Sequence, residues 1–174
     1  MTVPEGWLYE NTPDNTARFV LGTVGENPLI CVGVNPSTAT PLKLDRTVTR
    51  IARRAAKNNY DSWIMLNLYP QRSKDPDGMH TQYLPELKAQ NEKHIAELLR
   101  GRSVTLLAAW GELIEKRAYL PEMLDGIAQI AEQGSCGWMS IGSPLKRHHP
   151  RHPSRAPYDT SLQSFDMATY LRTL

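Results

Sequence analysis

The sequence has few of the residues that mark secreted, metal-binding or membrane proteins. It contains two cysteines, Cys31 and Cys136, whose spacing does not fit a metal site. Such scarcity is typical of a reduced protein inside a cell, so we predict a cytoplasmic location. No basic segment followed by an apolar stretch opens the sequence, and no apolar run has the length of a bilayer. A signal peptide and a membrane partner are therefore not expected.

The charge bias is also small, although basic residues form two local clusters. A formal net charge of +2 does not by itself indicate nucleic acid. Such clusters bind phosphate in some proteins, but most of them are simply solvated faces. One cluster holds Arg50, Arg53, Arg54 and Lys57, and the other holds Lys146, Arg147, Arg151 and Arg155.

Four short apolar runs predict buried strands. They cover residues 29–34, 63–66, 104–109 and, more weakly, 138–141, and a proline or glycine closes each of them. Because the runs lack polar alternation, they are typical of strands that are covered on both faces, as in a parallel sheet. The N-terminal segment 7–24 instead predicts an antiparallel hairpin.

Helical patterns separate these runs. The predicted helices cover residues 46–57 (capped by Asp45), 85–100, 112–119, 122–132 and 161–174. Alternation of strands and helices predicts an α/β three-layer sandwich with a mostly parallel four-stranded central sheet. We expect a single domain over residues 1–174, with a hairpin extension at 1–27 and the core at 28–174. Ligands of such sheets bind outside the carboxyl ends of the strands.

Several common catalytic motifs are absent. The sequence contains no P-loop, no glycine-rich dinucleotide fingerprint and no GxSxG nucleophile elbow. Carboxylates are scarce at the predicted strand ends, which disfavours a glycosidase-like pair of acids. The proline-rich segment 143–157 must be a loop, and its histidines, His148, His149 and His152, lack the register and thiol partners of a zinc site. A basic surface loop is the simple alternative.

Two asparagines remain as candidates at the strand ends. An asparagine amide offers both a donor and an acceptor, so Asn35 and Asn67 could orient a water or contact the edge of a base. Alternatively, each side chain satisfies the backbone of its own turn. The sequence leaves both interpretations open.

Longer segments resemble a known family. The stretches VGVNPST, LDRTVTRIARRA and IMLNLYPQRSKDP are similar to bacterial and phage proteins catalogued as domain of unknown function 1643. The similarity runs from about Phe19 to Pro76 and continues more loosely through AAWG to HPRHPS. This resemblance does not imply a particular reaction.

Four shorter motifs resemble the uracil-DNA glycosylase superfamily. They occur in the order of that superfamily, each at the carboxyl end of a predicted strand. The matching segments are Gly33-Val34-Asn35-Pro36-Ser37, Met65-Leu66-Asn67, Ala109-Trp110-Gly111 and His152-Pro153-Ser154. The resemblance implies a uracil-DNA glycosylase-like fold and an enzyme that binds a base rotated out of the stack, without a cofactor or a metal.

The same resemblance implies roles for individual residues. Asn35 would hold the attacking water, His152 would stabilise the departing base, and Asn67 would pair with the edge of the base. Other implied contacts to the substrate come from Gly33, Pro36, Ser37, Thr38, Tyr69, Trp110 and Ser154, and implied contacts to phosphate come from Lys146, Arg147 and Arg155.

The sequence thus predicts a monomeric, nucleobase N-glycosidase-like hydrolase that acts on a base in nucleic acid or in a nucleotide. Asn35 stands where the superfamily's first motif often carries an acid, which predicts slow hydrolysis or none. The alternative is a non-catalytic nucleotide or nucleic-acid binding module of the same fold. A third hypothesis is an accessory protein that uses its basic face to contact another protein.

Overall fold

The computed structural model describes residues 3–174, which form one seven-stranded sheet with helices packed against it. The strands are β1 (Trp7–Asn11), β2 (Arg18–Thr23), β3 (Pro28–Gly33), β4 (Ser62–Asn67), β5 (Thr105–Ala108), β6 (Gly137–Ile141) and β7 (Leu162–Ser164). The helices are α1 (Arg46–Lys57), α2 (Pro85–Leu99), α3 (Leu120–Gln133) and α4 (Met167–Leu171), and short 3₁₀ helices cover Pro76–Gly78, Gly111–Lys116 and Pro153–Arg155.

The sheet is mixed, with strand order β1-β2-β4-β3-β5-β6-β7. The four inner strands are parallel, whereas β1, β2 and β7 run antiparallel to their neighbours. The predicted α/β class is confirmed, but the prediction of a four-stranded, mostly parallel sheet is wrong. The N-terminal hairpin continues the sheet because Leu21 and Gly22 of β2 pair with Met65 and Ile64 of β4, and β7 extends the other side.

Two of the predicted helices also need correction. The segment 161–174 contains β7 followed by α4, because the side chain of Asp166 accepts a hydrogen bond from the backbone N–H of Thr169 and starts the helix there. The segment 112–119 is mostly a 3₁₀ helix, Gly111–Lys116. The cap of α1 is confirmed, since Asp45 accepts from the backbone N–H of Val48 at 2.9 Å.

Alternating side chains of the inner strands enter two separate cores. On β3, Leu29 and Cys31 pack in the core that contains α1, whereas Ile30 and Val32 pack in the core that contains α2 and α3. Helices therefore cover both faces of the sheet. None of the helices within residues 3–174 is long and apolar enough to cross a membrane.

The topology defines where a ligand crevice forms. The chain leaves β3 towards β4 on one side and leaves β5 towards β6 on the other, although β3 and β5 are neighbours. This reversal is a topological switch point, and ligands of open α/β sheets bind outside the carboxyl ends of the strands at such a point. The loops after β3, β5 and β6 meet there.

Candidate functional site at the carboxyl edge of the sheet

Asn35 lies close after β3, and the NH₂ group of its side chain hydrogen-bonds the backbone of the neighbouring loops. Its Nδ2 donates to the backbone carbonyls of Pro36 and Ser73, both at 3.0 Å. Within residues 3–174, its Oδ1 accepts no hydrogen bond from the protein. The side chain is half-buried, so this oxygen is the part of Asn35 that remains for a ligand or a water.

Asn67 ends β4, and the structure encloses its side chain. The residue is 1% exposed, its Oδ1 accepts from Nη2 of Arg18 at 3.3 Å, and its Nδ2 is buried without a partner. Asn91 of α2 donates to its backbone carbonyl at 2.8 Å. In this conformation the Asn67 amide faces the protein rather than an open pocket, so a base would contact it only after a local rearrangement.

Arg18 is a site residue that the sequence analysis missed. It begins β2, next to the end of β4, and is 1% exposed. Its Nη1 donates to the carbonyl of Ala39 at 3.2 Å. Burial and the neighbouring Arg72 lower the pKa of Arg18 to about 10, while the Asp45 carboxylate acts in the opposite direction. The guanidinium is therefore charged at neutral pH.

Arg72, in the loop after β4, is the second guanidinium of this cluster. Its Nη1 donates to the carbonyl of Ser37 at 2.6 Å, and its Nη2 donates to the Tyr9 hydroxyl at 2.6 Å. Both arginines thus hold residues 37–39, which follow the Asn35-Pro36 turn.

His152 lies in the loop after β6, and local hydrogen bonds determine which of its ring nitrogens carries the proton in the neutral form. Its Nδ1 accepts from the backbone N–H of Ser154 at 3.2 Å and lies 2.6 Å from the Ser154 hydroxyl. The proton of the neutral ring therefore belongs on Nε2. Burial, then the positive charge of Arg155, lowers the pKa of His152, and Asp45 opposes this shift. His152 is accordingly neutral at pH 7.

The His152 cleft is the space bounded by this histidine and the loop after β5. Its volume is about 540 Å³, and it is lined by Gly111, Glu112, Leu113, Lys116, Leu145, Arg151, His152, Ser154 and Arg155. A side chain at Gly111 would meet His152, since a Cβ built there lies 3.2 Å from the Cβ of His152. Asn35 and Asn67 are not among the lining residues. The three predicted polar residues lie at the carboxyl edge of the sheet, and of the three only His152 lines this cleft.

Helix α1 fixes the loop that carries His152. Arg50 donates from Nε to the carbonyl of Pro153 and from Nη2 to that of Ala156, at 2.8 and 2.7 Å. One turn later, Arg54 donates to the carbonyls of Thr160 and Pro157, at 2.9 and 2.8 Å. Two arginines of the first basic cluster are therefore structural, whereas Arg53 and Lys57 are exposed.

Trp110 and Tyr69 are placed in the core, with no exposed surface. Trp110 Nε1 donates to the Tyr170 hydroxyl at 3.0 Å, and that hydroxyl lies 2.8 Å from Nδ1 of His149. The Tyr69 hydroxyl lies 2.8 Å from Nδ1 of His80. Neither ring is positioned to stack on a bound base in this structure.

A buried histidine continues the Trp110 network towards the surface. His149 is 3% exposed, and its Nε2 lies 2.9 Å from Oε1 of Glu115. His149 therefore links the Tyr170 hydroxyl, which accepts from Trp110, to the Glu115 carboxylate. Arg147 also binds Glu115 at 2.6 Å, which reduces its availability for phosphate.

The remaining predicted residues differ in their accessibility. Gly33 and Pro36 are buried, Ser37 and Ser154 are half-buried, and Thr38, Lys146, Arg147 and Arg155 are exposed. Within residues 3–174, no group of three or more histidine, cysteine or acidic side chains is arranged to hold a metal ion.

Fold and site together define an α/β protein with a doubly wound central sheet and a basic cleft at its carboxyl edge. The family model described as protein of unknown function (DUF1643) matches residues 18–154, which is more than half of the chain, and the chain belongs to this family. The predicted membership is thus confirmed. Searches of curated proteins and of solved structures gave no significant match.

Proposed function

We propose that this protein is a nucleobase N-glycosidase-like hydrolase that acts on a base in nucleic acid or in a nucleotide. The observation that carries the proposal is the state of His152. Its Nδ1 accepts from the backbone N–H of Ser154, which leaves Nε2 as the donor of the neutral ring; burial lowers its pKa, and the ring lines a cleft with Arg151 and Arg155. A donor fixed beside positive charge suits an anion that develops during a reaction.

The proposed chemistry follows from these groups. When the bond between sugar and base breaks, its electron pair leaves with the base, and the base becomes an anion. The Nε2–H group of His152 donates a hydrogen bond to that anion and stabilises it most in the transition state. A water attacks the electron-poor sugar carbon and releases its proton to solvent. Asn35 orients this water through its free Oδ1 once substrate binding brings the loop after β3 to the His152 cleft, which Asn35 does not line in this structure.

The placement of the four short motifs supports a uracil-DNA glycosylase-like fold as part of this proposal. Asn35 follows β3, Asn67 ends β4, Trp110 follows β5, and His152 lies after β6. Three motifs therefore stand at the carboxyl ends of inner parallel strands, and the fourth lies in the loop that follows the fourth inner strand.

The second candidate function is a binding module for nucleotides or nucleic acid without hydrolysis. The enclosed amide of Asn67 favours the binding module, because this amide is not accessible to hydrogen-bond the edge of a base. Asn35 is also not among the residues that line the His152 cleft, which favours the binding module as well. In this candidate the basic cleft binds phosphate and His152 donates a hydrogen bond to the ligand.

Base release separates the two functions. Purified protein is incubated with single- and double-stranded oligonucleotides that carry uracil, mismatched bases or modified pyrimidines, and released bases are quantified by chromatography. We expect release by the unaltered chain, at least tenfold less by His152→Ala and Asn35→Ala, and unchanged release by His148→Asn. His148 is the matched control because it is exposed in the same loop.

Other outcomes reject the enzymatic proposal in distinct ways. Salt-dependent binding of oligonucleotides without base release selects the binding module. Release that His152→Ala and Asn35→Ala leave unchanged shows that neither residue carries the activity and rejects the mechanism proposed for them. Absence of both release and binding favours the accessory protein, for which the basic face contacts another protein.

A further inference from the structure

Two arginine side chains meet next to the end of β4 without an acidic hydrogen-bond partner. Arg72 is close enough to Arg18 for its positive charge to lower the pKa of Arg18. Their guanidinium groups donate to the carbonyls of Ser37 and Ala39, to Tyr9 and to Asn67. Within residues 3–174, neither group hydrogen-bonds a carboxylate. Buried charges are usually paired, so this cluster carries an excess of positive charge.

Three donors of the same cluster are buried without an acceptor. They are the Nε atoms of Arg18 and Arg72 and the Nδ2 atom of Asn67. Arg18 and Asn67 are each 1% exposed, so bulk solvent does not reach these groups. Folded proteins contain few such donors because each of them loses its hydrogen bond to water on burial. The cluster therefore lacks acceptors as well as negative charge.

We propose that Arg18, Arg72 and Asn67 form a binding site for an oxyanion, of which a phosphate group is the best match. A phosphate offers several acceptor oxygens and negative charge at once, and guanidinium groups bind it through paired hydrogen bonds. The cluster adjoins the Asn35-Pro36-Ser37 turn at the carboxyl edge of the sheet, where ligands of such folds bind. This site is separate from the His152 cleft and does not depend on the proposed hydrolysis.

Asp45 does not neutralise the cluster. Its carboxylate favours the charged form of Arg18. The same carboxylate also raises the pKa of His152 and caps α1. One carboxylate offsets at most one of the two guanidinium charges, so the site retains a net positive charge.

Access to the site runs through residues 37–39 and a neighbouring cleft. Arg72 lines a cleft of about 840 Å³ together with Gln71 and His80, and the carboxylates of Asp14 and Glu86 line the same cleft. The carbonyls of Ser37 and Ala39 cover the guanidinium groups on another side. Because the unpartnered N–H groups are closed off from solvent, the anion enters as this turn moves. Binding thus changes the environment of the 37–39 backbone as well as that of the arginines.

The direct test is a titration of ¹⁵N-labelled protein with inorganic phosphate, with sodium chloride added to hold ionic strength constant. We expect saturable shifts of the Arg18 and Arg72 Nε–H signals and of the amides of residues 37–39. Pyrophosphate and a nucleoside 5′-monophosphate should give the same pattern, and the parent nucleoside should not. Acetate and sulfate distinguish a general oxyanion site from a phosphate site.

Variants then test the assignment by thermal shift and calorimetry. Arg72→Gln is expected to weaken phosphate binding at least tenfold, because it removes one guanidinium from the half-buried rim. Arg53→Gln is the matched control, since Arg53 is exposed on α1 and is not among the residues that line the His152 cleft, and it should bind phosphate within twofold of the unaltered chain. Base release by the same preparations reports separately on the proposed hydrolysis.

Three results would overturn the proposal. These are an undiminished phosphate response in Arg72→Gln, an equal response to sodium chloride alone, and shifts confined to the signals of Arg151 and Arg155. If Arg72→Gln does not fold, the titration of the unaltered chain decides, because the Arg18 Nε–H signal either moves with phosphate or does not.

Discussion

Arg50 on α1 donates from Nε to the carbonyl of Pro153 at 2.8 Å, across 103 positions of the sequence. Pro153 directly follows His152, so this bond fixes the turn that carries the candidate catalytic ring. The position of His152 consequently depends on a helix on one face of the sheet, rather than on the loop alone.

Replacing Arg50 should therefore displace His152. In Arg50→Gln, the loop loses two hydrogen bonds from a charged donor, each worth about 1.5–3 kcal/mol, and the histidine becomes more solvated. Its pKa should rise towards the ordinary value, as measured by an NMR titration of the ring protons. Arg53→Gln, at an exposed position of the same helix, should leave the titration unchanged. An unaltered His152 titration in Arg50→Gln would contradict this role.

His152 should also make stability depend on pH. Its pKa in the folded chain lies below the ordinary 6.5, so the unfolded chain binds a proton more readily as pH falls through that value. Stability is then lost towards acid. We expect the free energy of unfolding, measured with urea, to fall less between pH 7 and pH 5 in His152→Gln than in the unaltered chain. Equal losses in the two proteins would contradict the lowered pKa.

Glu115 should contribute stability with a different pH window. The hydrogen bond from His149, and then the charge of Arg147, lower its pKa below the ordinary 4.5. The contribution is therefore present above 4.5 and is lost as pH falls through the lowered value. Glu115→Gln should be less stable than the unaltered chain at pH 7, and the difference should shrink at pH 3. Glu112→Gln, at an exposed neighbour, serves as the control in the same urea measurements.

Gly111 should be intolerant of a side chain for two separable reasons. Its φ is +59°, and a Cβ would lie 3.2 Å from the Cβ of His152. Gly101 has a φ of +70° with no atom within 4 Å of a Cβ, so Gly101→Ala isolates the cost of the backbone conformation, about 1–2 kcal/mol. Gly111→Ala should lose more stability than this, and it alone should weaken ligand binding at the His152 cleft. If Gly111→Ala and Gly101→Ala lose the same free energy of unfolding in urea, the contact with His152 does not contribute to the intolerance.

The parallel centre of the sheet was predictable because each of its strands is an apolar run that is closed by a proline or a glycine. The run 29–34 differs from β3 by one residue at each end, since Pro28 joins the strand and Val34 lies in the bend that follows it. The cap at Asp45 was predictable for the same reason, because a cap is a local feature. Local signals thus located most of the elements that carry the candidate site.

Tertiary contacts account for what the sequence did not show. The apolar spacing of residues 161–174 fits a helix, but Leu162 pairs with Ile141 of β6, a partner that only the folded sheet supplies. An arginine at the start of a strand is normally exposed, yet Arg18 is buried through bonds to Ala39 and Asn67, 21 and 49 positions away. The enclosure of the Asn67 amide follows from the same contact.

The bonds of Arg54 to the carbonyls of Pro157 and Thr160 span 103 and 106 positions. Closing segments of this length costs chain entropy, and such closures form late when a protein folds. During refolding, the far-ultraviolet circular dichroism signal should therefore recover before the capacity to bind a ligand at the His152 cleft. A newly synthesised chain would then have its secondary structure before it can bind its ligand.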